Sequence, residues 1–181
     1  MSKIRLTSTA PGIMGLLESF PAIGTKMTAL AQELLSTPHH GVFLPSWVLE
    51  YIAASCSEQG KTEFCRDSHY AIALAKSPHV SIADMHQHML LNERYRLLEL
   101  LAHKAYCFPG TITEAEITAL QDDKAIHGSS TNEEIHLVIA IACAFRMFNA
   151  YVKNIGNPVC PTPEAYRQIG EAIASNGYQG V

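Results

Sequence analysis

The segment between Thr131 and Gly156 restricts this chain more than any other. It opens on Thr131 with Glu134 three residues on, a capping-box pattern that marks a helix start. It then runs almost wholly apolar to about Ile155, where Gly156-Asn157-Pro158 supplies a stop. A helix that is apolar all round is stable only when other elements cover it. Its longest unbroken apolar run, Leu137 to Phe145, ends at Arg146. That is too short for a bilayer, which needs about 20 such residues. The expectation is a helix at the centre of a packed fold, with no membrane partner.

The remaining signals are helical too. Pro21 can open a helix through Ser36, and Pro45 one to about Gln59, with Gly60 as its stop. Thr62 stands where a cap for the next helix belongs, and that helix runs to about Lys76 before Ser77-Pro78. Asn92 to Tyr106 places Leu97, Leu98, Leu101 and Ala105 on one side, and Pro109-Gly110 ends it. Thr113 and Glu116 repeat the capping-box pattern for a short helix to about Asp123. Thr162-Pro163 opens a last helix to about Ala174. Strand alternation, repeats and flexible linkers are absent. The reading is all-α, one domain over residues 1–181.

Composition excludes some function classes. The net charge is -4 and no Lys/Arg run exceeds two, so no basic stripe offers itself to nucleic acid. Apolar residues reach 48% against 17% charged, which favours a homo-oligomer. The first fifteen residues hold no long apolar stretch of the signal-peptide kind, so the chain reads as cytoplasmic. Five cysteines at irregular spacing (Cys56, Cys65, Cys107, Cys143 and Cys160) fit a reducing compartment better than a disulfide framework. Cys107 and Cys143 read as core fillers, and Cys160 as exposed.

Cys65 and His69 are four apart and share a helix face. With Thr62 as cap, Cys65 falls in the first turn, where free N–H groups favour a thiolate. A thiol with a base beside it is a nucleophile recipe. From spacing alone, a buried structural pair is the commoner outcome. Glu50 lies among apolar neighbours, so it is expected to be buried, and His69 is its natural partner. Other histidines make no ligand set. His39-His40 lacks further ligands nearby, and His86 and His88 are two apart, on different helix faces. No metal or cofactor is expected. His103 and His136 read as hydrogen-bonded within apolar helices. Arg146 and Asn149 need partners, either at a pocket near His69 or across a subunit boundary.

The stretch Glu50 to Ser57, followed by Thr62-Glu63-Phe64-Cys65 and His69, resembles the signature of the carboxymuconolactone decarboxylase and alkylhydroperoxidase D-like (AhpD-like) family. That signature has a Glu, a Cys-x-x-Cys twelve residues on and a His four after the second Cys. Leu44-Pro45, Leu97 to Ala102, Ile112 to Leu120, Phe145 to Asn149 and Cys160 to Glu164 are similar to further family segments. The resemblance spans roughly residues 12 to 178. It implies an AhpD-like domain of about seven or eight helices, assembling as trimers or hexamers.

It also implies a redox site. Cys65 would attack a peroxide, with His69 as its base and Glu50 orienting that His. Thr62 replaces the first cysteine of the motif, so the internal disulfide cycle is unavailable. A sulfenic acid on Cys65 would need another thiol. Cys56 is one candidate, although six residues past Glu50 is not a same-face spacing, and a thiol from another subunit or a small-molecule thiol is an equal alternative. The first expectation is therefore a single-cysteine, thiol-dependent antioxidant oxidoreductase acting on a small-molecule peroxide. The second is a non-redox member that binds a small ligand or processes a lactone or organic acid, as the decarboxylase branch does.

Overall fold

In a computed structural model the described residues, 2–122, 126–156 and 160–180, hold helices and no strand. In chain order these are α1 (Gly12–Ser19), α2 (Pro21–Leu35), α3 (Ser46–Gln59), α4 (Glu63–Lys76), α5 (Ile82–Leu91), α6 (Glu93–Cys107), α7 (Glu114–Leu120), α8 (Asn132–Ile155) and α9 (Pro163–Asn176). A single 3-10 turn, Tyr178–Gly180, follows. The sequence reading of about seven or eight helices leaves out α1 and α5. The first is short and carries two glycines. The second begins at Ser81, whose hydroxyl accepts from the backbone of Asp84, a cap signal that was there to read. The expected end of the short helix at Asp123 and the stop at Asn157-Pro158 lie outside the described residues. Gly156, at φ +75, takes the left-handed conformation that ends α8.

The core is built from α3, α6 and α8. Val48, Ile52, Ala53 and Cys56 of α3 meet Leu98 and Ala102 of α6 and Val138, Ile141 and Ala142 of α8, all fully buried. The centre is α3, not α8 as its sequence suggests. Every residue of α3 from Trp47 to Ser57 is buried. Its Ala53-Ala54-Ser55-Cys56-Ser57 stretch is narrow, so neighbours approach it from all sides. Its polar atoms are answered there: Ser57 donates to the Ala53 carbonyl at 2.9 Å, and Ser55 lies 2.7 Å from His103 Nε2.

On α8 an outward stripe stays exposed, through Glu133, His136, Cys143, Met147 and Ala150. This corrects two expectations. Cys143 is exposed on that stripe, and Cys107 is exposed as the last residue of α6, so neither fills the core. His136 faces outward as well. By length and mean hydropathy (1.7) α8 could cross a bilayer, yet 56% of that stretch is buried against the rest of the protein.

A smaller cluster of Leu16, Phe64, Cys65, Val152 and Tyr166 joins α1, α4, α8 and α9. Two glycines set its spacing. A Cβ on Gly170 would stand 2.7 Å from the Ala71 carbonyl oxygen, so α9 lies directly on α4. A Cβ on Gly24 would stand 2.2 Å from the Leu17 carbonyl oxygen, so α2 closes on α1.

The α8 capping box also fastens the core. Glu134 is fully buried, accepts from the backbone N–H groups of Phe43 (2.8 Å) and Thr131 (3.1 Å), and pairs with Arg94. Glu134→Ala leaves a mostly buried guanidinium without its anion, and the expected loss is about 3–5 kcal/mol. Thr131→Ala removes the cap and the 2.7 Å bond its hydroxyl donates to the Gly41 carbonyl, but strands no charge, and costs about 1–2 kcal/mol. Urea denaturation midpoints of the two variants check this ranking.

Candidate functional site

Glu50 sits on the second turn of α3, where the chain has no route to water, and it is 0% exposed. A carboxylate there needs its lone pairs filled. His69 of α4 supplies Nδ1 at 2.8 Å from Oε2. Lys76, at the end of the same helix, supplies Nζ at 2.7 Å from Oε1. The Tyr178 hydroxyl donates to Oε2 at 2.7 Å and lies 3.2 Å from His69 Nδ1. Burial alone would raise the Glu50 carboxyl pKa. The hydrogen bond and charge of His69, with Lys76, outweigh it, and the group is held below the usual carboxylate value. The Tyr178 phenol is pushed well above its ordinary value by burial and then by the Glu50 charge, so it stays a donor.

With Glu50 ionised, Nδ1 of His69 carries the hydrogen of their bond. Nε2 is then the basic nitrogen. The ring is edge-on to Phe145, with centroids 4.7 Å apart, which fixes its plane from the α8 side. Cys65, Ser68 and His69 lie along one wall of a cavity of about 610 Å³. Helices α1, α2, α8 and α9 give the other walls through Ile13, Leu17, Met27, Phe148, Ile169 and Ile173, and Tyr178 adds to the lining.

The structure thus brings Glu50, His69 and Cys65 to one place, but with differences from the sequence reading. Thr62 occupies the cap position of α4 without capping it. At ψ 86 its hydroxyl turns back to the Gly60 carbonyl, 3.4 Å away. The hydroxyl caps Ser81, Thr113, Thr131 and Thr162 have ψ between 157 and 162, and Asn92 caps α6 through its amide oxygen at ψ 103. Cys65 is in the first turn of α4, yet burial pushes its thiol up to about 12. No hydrogen bond joins Cys65 to His69 among the described residues. The resting group is a neutral thiol, and the expected activation by the helix end is outweighed by desolvation.

Cys56 is fully buried and faces Cys107 and Cys143 on the α6–α8 side, off the cavity. Asn149 is also away from it: its amide donates to Ser57 Oγ and the Tyr106 hydroxyl. Arg146 is exposed and bonds the Tyr106 carbonyl. His39 bonds the Glu33 carbonyl, His86 the Tyr51 hydroxyl, and His88 packs beside Trp47 and Tyr95. Lys76, Ser68 and Tyr178 were not picked out from the sequence. Lys76 had a signal, seven residues and two turns after His69 on the same face. Tyr178 had none, being 128 residues from Glu50.

No family model matches this sequence, and no curated protein does. In fold the chain is similar to the alkylhydroperoxidase AhpD core of an uncharacterized peroxidase-related protein from Ralstonia eutropha JMP134. The TM-score is 0.71 and the identity 20%, over 90% of this chain and 82% of that one. The chain therefore has the AhpD-like all-α fold.

The depressed Glu50 carboxyl carries a pH signature. It binds a proton more weakly folded than unfolded, so its stabilisation is present above the ordinary value of 4.5 and is lost as pH falls through the lower folded value. Urea midpoints measured against pH are expected to drop steeply on that acid limb. Glu50→Gln leaves the Lys76 ammonium without its anion, costs about 3 kcal/mol at neutral pH, and flattens the limb. Acid limbs that run parallel in the two proteins would contradict the assignment.

Proposed function

We propose that this chain is a member of the carboxymuconolactone decarboxylase and alkylhydroperoxidase D-like family and acts as a thiol-dependent hydroperoxidase with one active-site cysteine. The observation that carries this reading is the 2.8 Å Glu50–His69 pair, whose imidazole shares a cavity wall with Cys65. The AhpD core likeness supports it at the level of fold.

In the reaction, His69 Nε2 takes the proton of the Cys65 thiol as the hydroperoxide arrives. The sulfur attacks the terminal peroxide oxygen, an S–O bond forms and the O–O bond breaks. The departing alkoxide recovers the proton from His69, leaving an alcohol and a sulfenic acid. A first external thiol condenses with the sulfenic acid and releases water. A second reduces the mixed disulfide and restores Cys65. The reductant comes from outside, because Thr62 holds no sulfur and Cys56 faces away from the cavity. Glu50 holds His69 in the required tautomer, and Lys76 balances its charge.

The elevated thiol sets the pH dependence. Well below the pKa, each pH unit raises the thiolate fraction about tenfold. Alkylation of Cys65 by iodoacetamide, followed by peptide mass spectrometry, is expected to accelerate by that factor from about pH 7 to pH 10 without a plateau. Cys65→Ser is expected to abolish tert-butyl hydroperoxide consumption with dithiothreitol. His69→Ala is expected to reduce it at least 100-fold, within the range of general acid–base contributions. A wild-type protein inert toward hydroperoxide with several thiols would overturn the peroxidase reading.

The same elevated thiol favours a second reading, in which the cavity binds a small lactone or organic acid without redox chemistry and His69 is its base. Under that reading Cys65→Ser keeps full ligand binding and turnover.

A further inference from the structure

The proposed chemistry gives Tyr178 no task, yet its hydroxyl touches both halves of the Glu50–His69 pair. It donates to Glu50 Oε2 at 2.7 Å and stands 3.2 Å from His69 Nδ1. Nδ1 lies 2.8 Å from the same oxygen. The phenol and the imidazole are therefore two donors on one acceptor. The other carboxylate oxygen, Oε1, is taken by Lys76 at 2.7 Å and cannot relieve the first.

The phenol is held in this place from three sides. Its ring tilts 31° from that of His69, with centroids 6.1 Å apart. Lys76 Nζ stands 6.0 Å over its centroid, within reach of a cation–π attraction. From α2, Gln32 Oε1 accepts the backbone N–H of Tyr178 at 2.7 Å. Gln32 is not on the cavity wall, and among the described residues its side chain makes no hydrogen bond to Glu50 or His69. Its link to the site is Tyr178.

Sharing one oxygen has a chemical direction. A hydrogen bond to a carboxylate lowers that carboxylate's affinity for a proton. The phenol thus lessens the pull of Oε2 on the hydrogen that Nδ1 carries. A weaker pull leaves Nε2 less basic, and an imidazolium formed there readier to hand its proton on. A group that must take a proton and return it works best when neither form is held too firmly. The phenol itself keeps its hydrogen, because burial and the Glu50 charge oppose its ionisation.

We propose that Tyr178 is a positioning residue for His69: by occupying Glu50 Oε2 it loosens the carboxylate's hold on the Nδ1 hydrogen and limits the basicity of Nε2, and Gln32 keeps it there. The proposal rests on the reading of Glu50, His69 and Cys65 as an acid–base site.

The test reads the shared bond directly. In the intact, nitrogen-15-labelled protein, the His69 Nδ1 proton is observed by NMR at neutral pH in the cold and is assigned by its loss in His69→Gln. A stronger N–H···O bond moves such a proton downfield. In Tyr178→Phe the resonance is expected downfield of its wild-type position, because Oε2 is left to His69. In Gln32→Ala, which keeps every group of the site, a smaller shift in the same direction is expected. A phenol that only braces the pair gives the opposite sign, since its loss lengthens the bond and moves the proton upfield. An upfield or unchanged resonance in Tyr178→Phe overturns the proposal, and so does a wild type with no resonance downfield of the amides. Should Tyr178→Phe not fold, Gln32→Ala decides by the same sign. If the proton shifts as expected and no hydroperoxide is consumed, only the peroxidase reading falls. If hydroperoxide is consumed and the proton does not move, only this one does.

Discussion

A carboxylate with no access to water governs this structure. Glu50 is tolerable at the centre of the fold only because three donors from two other elements converge on it: His69 and Lys76 from α4, and Tyr178 from the turn after α9. Removing any one leaves a charge or a lone pair in an apolar interior. The same convergence gives the imidazole its tautomer and holds α4 in register along α3. Structure and chemistry therefore depend on one set of atoms. A carboxylate–histidine pair would need far less support on a protein surface, and there it would orient nothing.

The neutral thiol beside this network changes how the site should be understood. A preformed thiolate would react with many electrophiles. Here the sulfur sits in the Leu16–Phe64–Tyr166 cluster, where burial opposes ionisation. Under the proposed hydroperoxidase reading, reactivity comes from the encounter, when a substrate in the cavity and the His69 nitrogen share the proton, and speed is exchanged for selectivity.

Much of this was legible in the sequence, and the physical reason differs by element. The α7 and α8 capping boxes could be read because they are local, involving residues three apart. The burial of Glu50 was legible because its flanks are apolar, and its pairing with His69 because the family signature that the chain resembles joins a Glu and a His at those positions. The central helix was misplaced because hydrophobicity is not the same as enclosure. α8 is more apolar, but α3 is narrower, and narrowness decides which helix others can surround. Cys107 and Cys143 were misread for the same reason: residue type says little about which stripe of a helix is left uncovered. Thr62 does not cap because its hydroxyl turns back to the Gly60 carbonyl, a local geometry that no residue pattern encodes. Tyr178 was invisible because only the folded path of the chain brings it to Glu50.

The sequence separations within the network also order its assembly. His69 is 19 residues from Glu50, and Tyr178 is 128. In an otherwise unfolded chain, closing the longer loop costs about 2 kcal/mol more. The α3–α4 hairpin can therefore bring together the carboxylate, the imidazole and the ammonium as a local unit, with the phenol joining last. The reverse holds for fluctuations. Tyr178 belongs to a three-residue turn, tied through its backbone N–H to Gln32. Short segments with few attachments open at lower free energy than the core that holds them. The cavity lining thus includes the part of the network that is cheapest to release, while the Glu50–Lys76 ion pair stays in place.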